Sequence, residues 1–161
     1  MSDAPTRPRA SAPEAGLVSC IVPAFDSERY LAEAVQSILA QGHRPLEIIV
    51  ADDGSSDATR EIAASFGAPV RVVSQSTAGP AATRNLGLRT ARGELVAFLD
   101  ADDRWHPEKL ERQMARFAAR ADLAVSVSHI QNFWDDEHQE EARLWRDDPR
   151  TRPLPGYVTM T

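Results

Sequence analysis

The ten residues Glu94 to Asp103, Glu-Leu-Val-Ala-Phe-Leu-Asp-Ala-Asp-Asp, constrain this chain more than any other stretch. Leu95 to Leu99 is an unbroken apolar run, the composition of a strand buried on both faces. Three carboxylates follow at once: Asp100, Asp102 and Asp103. At an effective dielectric of about 20, two unit charges about 4 Å apart repel by roughly 4 kcal/mol. A divalent cation, a raised pKa or water beyond the strand end must relieve that repulsion. Hard oxygen ligands suit Mg2+ or Mn2+, and open α/β sheets bind ligands at the carboxyl ends of their strands. On these residues alone, a solvated loop capping a helix that starts near Pro107 fits equally well.

The rest of the chain repeats the pattern. Leu17 to Val22 reads as a buried strand ended by Pro23, which has no N–H for a ladder. Ala24-Phe25-Asp26-Ser27 is its carboxyl-end loop. Ser27 is a candidate N-cap for a helix to about Gln41, with Tyr30, Leu31, Val35, Ile38 and Leu39 turned inward and Gly42 as the stop. Leu46 to Ala51 is a second strand, again ending in acids: Asp52-Asp53-Gly54-Ser55-Ser56-Asp57. Asp57 or Ser56 can cap the helix through about Phe66. Asp52 precedes any helix, so it is free to accept from a ribose hydroxyl or a base N–H.

Val70 to Val73 is a short third strand, and Pro80 suits the first position of a helix reaching about Ala91. Ala81 and Ala82 are small enough for a backbone or ligand to approach. Arg84 faces the acidic end of the sheet, for an ion pair with one acid or a contact to phosphate. After the acids, Pro107 opens a helix with Leu110, Met114 and Phe117 as its core stripe. Leu123 to Phe133 alternates as a fifth strand does. The order β-α-β-α-β-α-β-α-β predicts an α/β fold with a mostly parallel, Rossmann-like sheet flanked by helices, the Leu95–Leu99 strand at its centre.

Composition narrows the function. The 161 residues suit one domain with a real core. A net charge of −6 argues against a nucleic-acid partner, which needs a basic face. Cys20 is the only cysteine and lies in an apolar run, so it reads as a small buried hydrophobe with no disulfide inside the chain. No stretch approaches the roughly 20 apolar residues of a membrane span, and the start lacks the apolar core of a secretory signal. The expectation is a cytoplasmic protein, peripheral to a membrane at most. Lys109 is the only lysine, which excludes a Gly-x-x-x-x-Gly-Lys phosphate loop and a receiver domain with a lysine after a late strand.

Four motifs in order then carry a resemblance: Val-Ser-Cys-Ile-Val-Pro-Ala-Phe-Asp (18–26), Ile-Ile-Val-Ala-Asp-Asp-Gly-Ser-Ser-Asp (48–57), Ala-Gly-Pro-Ala-Ala-Thr-Arg-Asn-Leu-Gly (78–87) and Phe-Leu-Asp-Ala-Asp-Asp (98–103). Over about residues 17 to 120 the chain resembles the family 2 glycosyltransferases, the inverting group with the GT-A fold. The resemblance implies a UDP- or GDP-linked sugar donor, an acceptor that is a saccharide, a lipid-linked glycan or a protein, and Mn2+ or Mg2+. It implies that Pro23, Ala24 and Asp26 form the first nucleotide-binding loop, Asp26 standing where Asn or Glu is more usual. Asp52 then reads the base and Asp53 supports the turn. Ala81 lines the site, and Arg84 lies near the phosphates. Asp100, Ala101 and Asp102 are the Asp-X-Asp motif, in which Asp102 ligates the cation and Asp100 contacts ribose or metal.

An inverting transfer also needs a general base, which this family usually takes from a later acidic motif. The ending from Pro155 reads like the approach to that acceptor-binding half, cut short. Asp135, Asp136 and Glu137 are substitutes, set against a plain solvated loop. The expected organisation is a disordered tail over 1–15, a nucleotide-sugar-binding domain over 16–133, and over 134–161 a loop that begins a truncated acceptor part. Two alternatives stand beside a glycosyltransferase. One is a catalytically incomplete nucleotide-sugar-binding domain. The other is a sugar nucleotidyltransferase, which would want a Gly-rich basic loop where Pro23-Ala-Phe-Asp stands.

Overall fold

The computed structural model describes residues 12–128 together with 140, 143 and 144. Its chain divides into one unit ending at Ala119 and another beginning at Arg120. Among the described residues the first unit holds eight elements: β1 (Glu14–Ala24), α1 (Leu31–Leu39), β2 (Leu46–Asp52), α2 (Thr59–Ser65), β3 (Val70–Ser74), α3 (Pro80–Thr90), β4 (Gly93–Phe98) and α4 (Lys109–Ala119). The four strands are all parallel, in the order β3-β2-β1-β4. The fold is therefore the expected α/β sheet.

Alternation along the interior strands explains the two-sided core. Cys20 and Val22 of β1 and Ile48 and Val50 of β2 join Leu31, Val35, Ile38, Ala63 and Leu110 on one face. Ile21 and Ile49 point the other way, with Ala91 just past α3. On that side α3 comes unusually close to the sheet. A Cβ at Gly87 would stand 2.4 Å from Cγ2 of Ile21, so only glycine permits this packing.

Several expectations are corrected. Pro23 does not end β1, which runs on to Ala24 paired with Asp52. The Ala24 carbonyl accepts from Asp53 N–H on the β2 side, while the Ile21 carbonyl accepts from Leu99 N–H on the β4 side. By parity Pro23 faces β4 beyond its last pair at Phe98, where no ladder bond is required. The Leu95–Leu99 strand is not central. Among the described residues β4 is an edge strand, Leu95 to Ala97 are half-buried and Phe98 is 43% exposed. The interior positions belong to β1 and β2.

Ser27 does not cap α1. A turn closed by its carbonyl onto the Tyr30 and Leu31 N–H groups delays the helix to Leu31. Leu31 is fully buried, whereas Tyr30 lies outside the core beneath the Arg29 guanidinium. The helix ends at Leu39 rather than at Gly42, and Arg44 donates to the carbonyls of Leu39, Gln41 and His43 there. In the second unit, residues 123–128 form no strand, and Val125 and Val127 are exposed. Alternation alone gives them no pairing partner among the described residues. The rest of that expected strand, 129–133, lies outside the described residues, as do residues 1–11 of the tail expected over 1–15 and Asp135, Asp136 and Glu137; at the other end of that tail Glu14 and Ala15 already belong to β1.

Candidate functional site

The strand order places the site. β2 and β3 follow β1 to one side, while β4 returns to its other side, so the chain reverses direction across the sheet between β1 and β4. Crossovers leave such a junction on opposite faces, and a crevice opens outside the strands' carboxyl ends. Ala24, Asp52, Ser74 and Phe98 close the four strands at that one end.

The loop after β1 is strapped to the loop after β2. Asp26 takes the left-handed conformation (φ 43°), which short polar side chains tolerate. Its N–H donates to Ser55 Oγ at 3.0 Å, and its Oδ1 accepts from Ser56 N–H at 2.8 Å. Ser27 N–H donates to Thr59 Oγ1 at 2.7 Å. Asp57 accepts the N–H groups of Glu28 and Thr59, and Glu28 accepts that of Ala58. Against the penalty of burial, the bonds from Thr59 and the Glu28 N–H hold the Asp57 carboxyl below the usual carboxylate range. The N-cap of α2 is Ala58, which makes no side-chain cap bond, so the expected cap at Asp57 or Ser56 is corrected: Asp57 accepts the Thr59 N–H from the residue before that N-cap.

Asp52 and Asp53 divide the labour. Asp52 is not free, contrary to what its place before any helix suggests: it is fully buried, and its carboxylate accepts the Gly54 and Ser55 N–H groups at 3.3 and 3.1 Å. Gly54 supplies the positive φ of 82° that closes this turn. Asp53 reaches across to the segment before α3. It accepts Gln75 Nε2 at 2.8 Å, Ala78 N–H at 3.0 Å and Gly79 N–H at 2.9 Å. These donors, Gln75 first, keep its carboxyl ionised below the ordinary range. Asp53 supports a turn, and the turn is the one that launches α3.

From α3, Arg84 Nη2 reaches Asp100 Oδ1 at 2.5 Å, and both side chains remain open to solvent. Ala101 is buried, while Asp102 and Asp103 are exposed. Asp103 N–H donates to the Asp100 carbonyl, closing a tight acidic turn. Desolvation, and then the charges of Asp102 and Asp100, push the Asp103 carboxyl above its ordinary value. The turn is firmly seated. Arg104 pairs with Glu33 at 2.9 Å, Trp105 N–H donates to Ser37 Oγ, and Gln41 spans from the His106 carbonyl to Leu110 N–H.

The arrangement gathers Pro23, Ala24, Asp26, Asp52, Asp53, Arg84, Asp100, Ala101 and Asp102 at the carboxyl end of one sheet, with Ala81 in the first turn of the helix above it. Asp135 and Asp136 lie outside the described residues. Sequence reading missed Ser55, Ser56, Thr59, Gln75 and the Ala78 and Gly79 amides. A Ser or Thr after a strand tip signals a turn, but nothing local names a partner about thirty residues away.

The acidic turn suits a hard cation. Beyond desolvation, the charges of Asp102 and Asp100 raise the Asp103 carboxyl, as neighbouring like charges do. Among the described residues no three His, Cys, Asp or Glu side chains close on one point. Mg2+-like ions are commonly held by one or two carboxylates with phosphate oxygens and water completing the shell, and Asp100 and Asp102 match that share.

The sequence profile described as Glycosyl transferase family 2 matches residues 19–158. An uncharacterized glycosyltransferase of Nostoc is 41% identical over 117 residues, which is 70% of this chain and 36% of that protein. Comparable curated relatives are likewise spanned for less than half of their length. Among solved structures, S. aureus TarS 1-349 in complex with UDP-GlcNAc superposes with a TM-score of 0.60 at 33% identity, covering 63% of this chain and 31% of that one. The mannosyltransferase PcManGT from Pyrobaculum calidifontis, in complex with GDP-Man and Mn2+, gives 0.57 at 26% identity, with 70% and 36% covered.

Proposed function

The chain belongs to glycosyltransferase family 2, and from that premise we propose that it forms the nucleotide-sugar-binding part of an enzyme that transfers a sugar, with inversion, from a UDP- or GDP-linked donor to a hydroxyl acceptor. The observation that carries the reading is the lacing of all four strand-end loops into one rim, with Arg84 and Asp100 facing each other across it. A diphosphate leaving group gains negative charge as its bond to the sugar breaks. Among the described residues, Arg84 is a cation placed to meet that charge. Asp102 and Asp100 are the groups that would hold Mn2+ or Mg2+, whose chemistry is to neutralise phosphate oxygens.

Pro23 and Ala24 give the nucleotide a rigid floor, and Asp26 fixes the loop beside it. Asp52 and Asp53 set the base-side wall through the turns they close. The acceptor hydroxyl that attacks the sugar needs a carboxylate base to take its proton, and Asp135 and Asp136 are the candidates this chain offers, outside the described residues.

Titration calorimetry with UDP, GDP and their sugars, with and without Mn2+, tests the proposal. Expected is binding of one nucleotide class that depends on the metal, and its loss in Asp102→Ala with the fold retained. If no nucleotide binds under either condition, the reading fails. UDP- or GDP-sugar turnover in the presence of acceptor extracts, absent in Asp102→Ala, is the further measurement for transfer itself.

A further inference from the structure

We propose that the Arg84–Asp100 ion pair is a catch that makes the cation and the nucleoside diphosphate bind interdependently. The inference rests on the donor-site reading above and adds a rule of assembly to it.

Arg84 is on α3, whose launch is fixed by the three bonds to Asp53. Asp100 is on the turn after β4, which Ser37 of α1 and Gln41 just beyond that helix anchor. Two independently seated elements therefore bring these side chains together, 16 residues apart in sequence. Arg84 side-chain exposure is 36% and that of Asp100 is 51%, so both can be reached by a ligand.

While they are paired, each occupies the other's ligand position. The guanidinium suited to phosphate oxygens is spent on a carboxylate, and a carboxylate suited to a hard cation is spent on the guanidinium. A cation arriving alone must displace Arg84. A diphosphate arriving alone must draw Arg84 away and leave Asp100 uncompensated beside Asp102 and Asp103. Arriving together, they exchange one ion pair for two, guanidinium with phosphate and carboxylate with cation. The catch thus opposes either ligand alone and releases for both. By linkage, the factor by which nucleotide tightens cation binding equals the factor by which the cation tightens nucleotide binding.

The test is Mn2+ binding to the full chain, followed by electron paramagnetic resonance of the free ion, without nucleotide and with UDP or GDP. Removing an exposed ion pair changes an affinity by a factor of up to about five. Arg84→Ala and the hydrogen-bonding Arg84→Gln are therefore expected to bind Mn2+ alone up to about fivefold more tightly than the parent. Arg104→Ala is the control, because Arg104 carries the same charge near the acids but pairs with Glu33. Its change reports the general loss of positive charge. If both Arg84 variants gain no more than Arg104→Ala, the catch is refuted while the donor site stands. If the parent chain binds no Mn2+ even with UDP or GDP, the underlying reading falls and the catch with it.

Discussion

Glu47 offers the sharpest test of how this fold is held, because its carboxylate joins all four strands at the end opposite the site. It is the second residue of β2, and its side chain is 4% exposed. Oε1 accepts Ser19 Oγ of β1 at 2.6 Å and the Arg92 N–H at the start of β4 at 2.7 Å. Oε2 accepts Arg92 Nε at 3.1 Å and Arg71 Nη2, from β3, at 3.3 Å. Ser19 Oγ passes the network on by accepting Gly93 N–H at 2.8 Å.

Glu47→Gln keeps the shape and one acceptor, but turns an NH2 toward two guanidinium donors. Hydrogen bonds to charged groups contribute about 1.5–3 kcal/mol each when buried. Arg71 and Arg92 are 39% and 55% exposed and can rehydrate, so each loss is discounted toward the surface range. The expected destabilisation is about 2 kcal/mol in all, or roughly 6–12 °C in Tm for a domain of this size.

The pH dependence fixes the cause. Against desolvation, the bonds from Ser19 and Arg92 and the charge of Arg71 hold the Glu47 carboxyl below its ordinary value of 4.5. A folded-state pKa below the unfolded one stabilises the protein above the unfolded value, and that stability is lost as pH falls through the folded one. Thermal melts of parent and Glu47→Gln are expected to differ by a constant gap from pH 7 to about 4.5, narrowing below it. Equal melting temperatures at pH 7 would refute the network's importance, and a gap unchanged at pH 3 would refute its electrostatic origin.

Other outcomes follow from the packing. Gly87→Ala gains about 1 kcal/mol of helix propensity but puts a methyl 2.4 Å from Ile21 Cγ2. Overpacking of about 1–3 kcal/mol should prevail, so urea denaturation is expected to show a lower midpoint, and a raised midpoint would contradict the close contact. Thr59→Val deletes the acceptor of Ser27 N–H and should lose about 1–3 kcal/mol. It should also weaken nucleotide binding by loosening the loop after β1, and unchanged calorimetry would separate that loop from the site. Burial pushes the Cys20 thiol up to about 12, so a disulfide reagent at pH 8 should label the chain only when it unfolds. Full labelling of the native protein would overturn the core assignment.

The sequence by itself settled what depends on near neighbours. Apolar runs of strand length, helical stripes and turn residues are local signals, and they yielded eight elements in the right order. A ninth, the strand expected over 123–133, is not formed over 123–128. The local signals also put acids and Arg84 at one end of a parallel sheet, because successive crossovers return each strand in the same direction. The burial of Cys20 followed from the run around it.

Only the tertiary structure decided who meets whom. Leu95–Leu99 is as apolar as an interior strand, yet strand order puts β4 at the edge among the described residues. Pro23 stays within β1 because the neighbour on its bare side has already ended. Asp52 and Asp53 are adjacent acids, but one is sealed in its own turn while the other crosses to α3. Asp26 meets Ser56, and Arg84 meets Asp100, across distances in sequence that no periodicity of two or four residues can span. The physical reason is that a hydrophobic pattern specifies which face of an element is buried, whereas a hydrogen bond between loops depends on which strands lie side by side.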